Sequence, residues 1–177
     1  MFSRIRGWLV KDTGSAAVEF ALVGLPFITM LVGIVEMTLF FATGVVLEGA
    51  AADAARMIRT GQVQVSTDPV TTFENALCDN VGMLISCDDL EYEVLTVPND
   101  SFSNAESMAP KFDADGNLIS GGFTPGGSSD DVLVRVVYQY QFLIPFMGTL
   151  AGGSVTSNHG TLMSTLVIKN EPYKFGD

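Results

Sequence analysis

Residues 16–47 read AAVEFALVGLPFITMLVGIVEMTLFFATGVVL, with Glu19 and Glu36 as the only charged side chains. No other stretch of the chain approaches this apolar density. As a helix rising ~1.5 Å per residue, Phe20 to Phe41 spans about 33 Å, enough to cross a hydrocarbon layer of about 30 Å. Thirteen of those positions are Leu, Ile, Val or Phe. At about −0.3 to −0.6 kcal/mol each, they outweigh the roughly 3 kcal/mol that one carboxylate near the centre of a span costs. Glu36 lies toward the far end, where its carboxylate either reaches interfacial water or pairs with a neighbouring subunit. Pro26, with Gly24 two residues earlier, predicts a mild bend. Gly24, Gly33 and Gly44 are either points of close helix packing or the ordinary glycine content of a span.

On the N-terminal side, Arg4, Arg6 and Lys11 face one acid, Asp12, so the bias of basic residues toward the cytoplasm holds that end inside and places the bulk of the chain outside. A cleaved secretory signal fits poorly. Its apolar core runs only ~7 to 15 residues, whereas this run continues without a turn into Ala50, Ala51 and Ala52. On the C-terminal side, Leu47, Ala51, Ala54 and Ile58 recur at helical spacing while Glu48, Asp53, Arg56 and Arg59 are polar, which predicts an amphipathic arm beyond the membrane. Gly61 follows two arginines and is placed to end it. Ser15 to Arg59 as one helix would be ~67 Å long.

Composition agrees with a chain lying partly in lipid. Of 177 residues, 47% are hydrophobic and 16% charged, and the mean hydropathy is +0.35. Nine basic residues against twenty acidic ones give a net charge of −11, which excludes a surface built to replace the counterions of nucleic acid. Two cysteines and one histidine cannot complete a four-ligand zinc site without carboxylates, so neither a metal nor a cofactor is expected.

The junction between basic leader and span is the most specific signal. Gly14, Ser15, Ala16, Ala17, Val18, Glu19 and Phe20 give a glycine, four small or apolar residues, an acid and an aromatic. This order resembles the processing motif of type IVb prepilins. The resemblance implies cleavage of the Gly14–Ser15 bond by a membrane-embedded prepilin peptidase, with Glu19 as the fifth residue of the mature chain. Glycine lets a protease approach the backbone closely, and Glu19 can pair with the new α-amino group of a neighbouring subunit. The plainer alternative is a loop and helix N-cap at Gly14 and Ser15, with Glu19 in the favourable first turn. The run through Leu22, followed by Leu25-Pro26, Gly33-Ile34-Val35-Glu36, the alanine-rich stretch to Ala54-Ala55-Arg56 and the tail Ile168 to Tyr173, resembles the TadE-like proteins of the Tad (Flp) pilus system. Lys169 stands where arginine would be expected in that tail. The resemblance covers roughly residues 12–62 well and implies a minor pilin or pseudopilin. Its partners would be the prepilin peptidase, other pilin subunits, Tad inner-membrane proteins and the lipid bilayer, and it would sit in the bacterial inner membrane or enter the extracellular pilus.

The expected organisation is a leader at 1–14, a long helix at 15–61 with its transmembrane part at about 20–41, and a periplasmic domain at 62–177. That domain reads as α+β. Val70 to Ile85 reads as a short helix after Asp68-Pro69. Leu90, Tyr92 and Val94 alternate with Glu91 and Glu93, Val132 to Phe142 alternate more strongly, and Thr161 to Lys169 supplies a third strand of a short antiparallel sheet. The arm of the long helix can cover its apolar face. Residues 98–129 read as loop with one hairpin. In an oxidising periplasm Cys78 and Cys87 are expected to pair.

Candidate chemistry is sparse. Asp113, Asp115 and Asn117 have the odd spacing of a calcium loop, but Leu118 occupies its glycine position and Thr124 its closing acid, leaving a turn at Asp115-Gly116 or weak calcium binding. Asp130 and Asp131 read as a solvated strand start, and His159 lies in turn composition with no nucleophile motif nearby. No enzymatic role is expected. The rival to the pilin class is an uncleaved bitopic protein whose acidic outer domain binds an envelope or extracellular partner.

Overall fold

The computed structural model describes residues 15–98, 102–105, 107–145, 147–151 and 158–172. Two compact units divide between Thr38 and Leu39. Helix α1, Ser15–Arg59, contributes residues to each. It is followed by α2 (Pro69–Val81), a 3-10 turn (Cys87–Asp89), β1 (Leu90–Thr96), the one-turn α3 (Phe102–Ala105), β2 (Asp131–Gln141), the one-turn α4 (Met147–Leu150) and β3 (His159–Lys169). This is the expected α+β arrangement of a long apolar helix and a small three-stranded antiparallel sheet.

In the first unit, residues 20–35 of α1 carry exposed Phe20, Leu22, Val23, Leu25, Phe27, Ile28, Met30 and Leu31 among others. A surface of this kind is unfavourable in water and suited to lipid. Pro26 lies inside the helix. The hydroxyl of Thr29 donates to the Leu25 carbonyl at 2.9 Å and that of Thr38 to Ile34 at 2.8 Å, so these polar groups are satisfied by their own helix, as an apolar medium requires.

In the second unit, α1 changes character. Leu47, Ala51, Ala54 and Ile58 are buried while Glu48, Asp53, Arg56 and Arg59 are exposed, matching the amphipathic pattern. Alanines on this stripe let the helix lie close to its neighbours. The helix stops where expected. Gly61 adopts φ 80°, its N–H donates to the Ile58 carbonyl and that of Gln62 to Met57, both at 3.0 Å, which closes the last turn in a left-handed glycine cap. Helix α2 begins at Pro69 because Asp68 caps it, accepting from the Thr71 N–H and hydroxyl. These bonds, the hydroxyl first, hold the Asp68 carboxyl below its usual range. The helix ends at Val81, four residues short of the expected Ile85, because Gly82 turns out of it at φ 64°.

The sheet order is β1-β2-β3. Glu93 lies opposite Arg135, and Asp131 opposite Lys169. Val94, Val132, Val134 and Val136 join the α1 stripe and Phe73, Leu77 and Val81 of α2 in one core. The other sheet face is covered too. Leu133, Arg135 and Val137 are buried, so β2 is enclosed on both sides and not half-exposed as its alternation suggests.

The cover is the segment that reads as loop. Residues 108–123 cross the sheet, held by Arg135 Nη2 to the Met108 carbonyl at 2.7 Å, Gly121 N–H to Glu93 Oε2 at 2.8 Å and Gln139 to the Gly116 carbonyl. Phe123 then adds a parallel bridge along β1, with the Val94 N–H donating to Gly122 and the Thr124 N–H to Val94. The expected hairpin is present within this segment, Phe112 pairing with Leu118 around the turn at Asp115-Gly116. Two expectations are corrected. Asp131 is fully buried against Lys169 and not solvated, because it faces the covered side of the sheet. His159 belongs to no turn but opens β3 opposite Gln141.

Candidate functional site

Gly14 lies outside the described residues. Ser15 is the first residue of α1, and Glu19 and Phe20 follow one turn later on exposed positions. Phe20 is 77% exposed, and its ring passes over Gly24, where a Cβ would stand 3.6 Å away. Ser15 and Glu19 are spaced i, i+4, so they share one helix face. The segment therefore presents an acid close to the start of a helix that is otherwise apolar and outward-facing. Glu36 departs from its neighbours. It is 4% exposed, against 58% for Val35.

Cys78 of α2 and Cys87 of the 3-10 turn form a disulfide, with Cα atoms 5.5 Å apart. It fastens the end of α2 to the start of β1 and closes a short loop through Gly82 and the fully exposed Met83.

Among the described residues nothing else assembles a reactive centre. Asp113 Oδ1 accepts from the N–H groups of Asp115 and Asn117 at 2.9 and 2.8 Å, and Oδ2 from Asn117 Nδ2 at 3.0 Å. The Asn117 side chain and then its backbone hold the Asp113 carboxyl below its usual range. The carboxylate thus organises its own turn. Among the described residues no three His, Cys, Asp or Glu side chains are grouped to hold a metal. His159 shares an open polar groove with Asp88, Asp89, Glu91, Asn117, Tyr138, Gln139 and Gln141. Among the described residues that line it there is no Ser, Thr or Cys.

The polar feature that sequence reading misses is the Glu93–Arg135 pair, 4% and 3% exposed, which joins two strands and the covering segment. A signal was available: Arg135 is the only Lys or Arg between Lys111 and Lys169, and it interrupts a run of valines. Lys169, in the tail that ends β3, donates to buried Asp131 Oδ1 at 3.0 Å.

Among the described residues one helix is long and apolar enough to cross a membrane, and it leads into a small disulfide-bonded α+β unit, an arrangement that fits a single-pass membrane protein. Residues 14–56, about a quarter of the chain, match the family model described as TadE-like protein. The match begins on Gly14, ends within α1 and is consistent with a TadE-like protein of the Tad pilus system. No curated protein and no solved structure gives a significant match.

Proposed function

We propose that this chain is a minor pilin or pseudopilin of the Tad (Flp) pilus system, cut by a prepilin peptidase between Gly14 and Ser15 and assembled with other pilin subunits through α1. The observation that carries the proposal is the TadE-like match, which starts at Gly14 and runs along a helix whose residues 16–20 are exposed and, Glu19 apart, apolar. In this reading the leader stays in the cytoplasm, α1 crosses the inner membrane and the folded unit lies in the periplasm. Cleavage removes Arg4, Arg6 and Lys11 together with Asp12, a net +2, and creates an ammonium on Ser15. In a lipid-like medium an ionised carboxylate is costly to desolvate, and an ammonium on a neighbouring subunit offsets part of that cost. Glu19 therefore sets the register between subunits. The partners would be the peptidase, other subunits and the Tad inner-membrane proteins.

N-terminal sequencing of the membrane-extracted protein from peptidase-positive cells tests the proposal, and a chain beginning at Ser15 is expected. Gly14→Leu should block cutting by filling the space at the backbone. Glu19→Gln should leave insertion and cutting intact while impairing incorporation. An intact leader in wild-type protein would transfer the assignment to an uncleaved bitopic protein whose acidic outer domain binds a partner.

A further inference from the structure

The two outer strands of the sheet are finished differently. The β1 edge is closed at its middle: the Val94 N–H donates to the Gly122 carbonyl at 3.0 Å, the Thr124 N–H to the Val94 carbonyl at 2.7 Å and Ser120 Oγ to the Tyr92 carbonyl at 2.9 Å. Among the described residues β3 pairs with β2 alone. Its other side is open.

Which backbone groups face that side follows from the ladder. The Phe142 N–H donates to the Asn158 carbonyl and the Asn170 N–H to the Asp130 carbonyl, one at each end of an unbroken antiparallel register. Hydrogen-bonded pairs recur at every second residue of such a ladder, so Gly160, Leu162, Ser164, Leu166 and Ile168 turn their N–H and C=O groups to β2. Thr161, Met163, Thr165 and Val167 turn theirs outward, and no described group bonds to that backbone. The first three are also exposed.

An open row of donors and acceptors is a template for one more strand, and proteins blunt it with charge, proline, a bulge or a covering segment. From Gly160 to Ile168 β3 has no charged residue, no proline and no bulge. The edge runs instead along a groove lined by Gly44, Leu47 and Glu48 of α1 and by residues 162–166. Glu48 is exposed and has no ion-pair partner among the described residues.

Charge says what kind of strand fits. Residues 39–177 carry six Lys or Arg against seventeen Asp or Glu, so the folded unit holds the whole net charge of −11. A second copy would bring the same charge, and Lys169, the only Lys or Arg of its β3, is engaged by buried Asp131. Nor can copies join head to tail, since the β1 edge is closed at Val94. We propose that the outer edge of β3 takes one extended strand of a different protein chain, added to the sheet by main-chain hydrogen bonds, with apolar or β-branched side chains and a lysine or arginine on the α1 side near Glu48. The sheet then grows on one side only. This inference stands on the folded unit and does not require α1 to cross a membrane.

The test uses the full chain in detergent and the peptide acetyl-TVKVTVK-amide, whose two lysines share one face. Without peptide, the amides of Met163, Thr165 and Val167 should exchange with solvent faster than those of Leu162, Ser164 and Leu166; with peptide at about ten times its dissociation constant they should slow about tenfold. Of two peptides N-methylated at odd or at even residues, one should bind and the other fail, because only one set of N–H groups faces β3. Glutamate in place of both lysines should weaken binding about two- to fivefold, and Glu48→Gln should shrink that difference. Met163→Pro removes only an outward N–H and should abolish binding with β3 still paired to β2. Slow exchange at the three outward amides without peptide, no binding at about 1 mM peptide, or equal behaviour of the two N-methylated forms would overturn the docking edge. Equal affinity of the lysine and glutamate peptides would overturn the basic partner. A wild-type chain that dimerises in detergent and becomes monomeric as Met163→Pro would give the edge to a second copy.

Discussion

Arg135→Met is the most informative change in the folded unit. The guanidinium and the Glu93 carboxylate are almost entirely buried, and the pair also anchors the covering segment through the Met108 carbonyl and the Gly121 N–H. Methionine fills much of the arginine stem's volume, so the main loss is charge pairing. Glu93 is left buried with one backbone donor in place of two partners. Breaking one side of a buried pair costs about 3–5 kcal/mol, a large share of the 5–15 kcal/mol that holds an ordinary domain together. The double change Glu93→Leu with Arg135→Met removes the stranded charge but leaves the Met108 carbonyl and the Gly121 N–H without their side-chain partners. At about 1 kcal/mol or somewhat more for each, it should sit roughly 1–3 kcal/mol below wild type, more stable than Arg135→Met alone. Urea unfolding of the detergent-solubilised chain, followed by near-UV circular dichroism, measures both, and limited proteolysis should cut within residues 108–123 first. A single mutant losing under about 1 kcal/mol, or a double mutant less stable than that single, would refute the reasoning.

Lys169→Arg should stabilise the chain by about 0.5–1 kcal/mol, because a forked donor can reach both oxygens of buried Asp131, whose Oδ2 has no partner; an unchanged or lowered urea midpoint would count against it. Replacing Cys78 and Cys87 together with serine should cost about 2–3 kcal/mol in the chain-entropy account, and labelling of either thiol in native, unreduced protein would contradict the bridge. Burial, and then the hydrogen bond to Glu74, push the Tyr92 phenol well above its usual range, and burial with the charge of Asp89 raises Tyr138. Below about pH 10 these phenols are protonated whether folded or unfolded. Above it the unfolded chain releases protons that the folded chain retains, so stability falls as pH rises. Tyrosinate absorbance from these two side chains should therefore appear late or with unfolding, and Tyr92→Phe should lessen the alkaline loss; ordinary titration with the fold intact would refute this.

The elements that could be read from sequence are those whose physics is periodic or punctuated. Helix α1 follows from an apolar run long enough for a bilayer and then a 3.6-residue stripe through Leu47, Ala51, Ala54 and Ile58. Gly61 and Asp68-Pro69 mark its end and the next helix's beginning through backbone requirements that few other residues meet. The strands follow from alternation. Residues 108–123 were not legible as a layer because side chain-to-carbonyl bonds, which have no period, hold them in place. For the same reason Glu91 and Glu93 read as a solvent face. They are covered by a segment about 15 to 30 residues further on, which no local pattern announces. At the helix start the sequence carries more than the fold, since the roles proposed for Gly14 and Glu19 concern a peptidase and a neighbouring subunit.

The two halves of α1 solve different problems with the same backbone. Up to Phe41 its side chains are large and outward-facing, with burial reserved for a few positions such as Glu36 and Phe40. From Ala42 to Ile58 the buried side is largely alanine, which loses no side-chain entropy on ordering and leaves the contact area to be supplied by Phe73, Leu77 and the valines of β2. A larger residue at Ala51 or Ala54, both fully buried, would force the sheet away from the helix, whereas the same change at Ala52 on the exposed side would be borne without repacking. The folded unit therefore depends on the arm remaining thin where it is covered. The apolar first segment depends on the opposite property, bulk turned outward, and the change-over falls at the Phe40–Phe41 pair, where Phe40 packs against Tyr140 and Phe142.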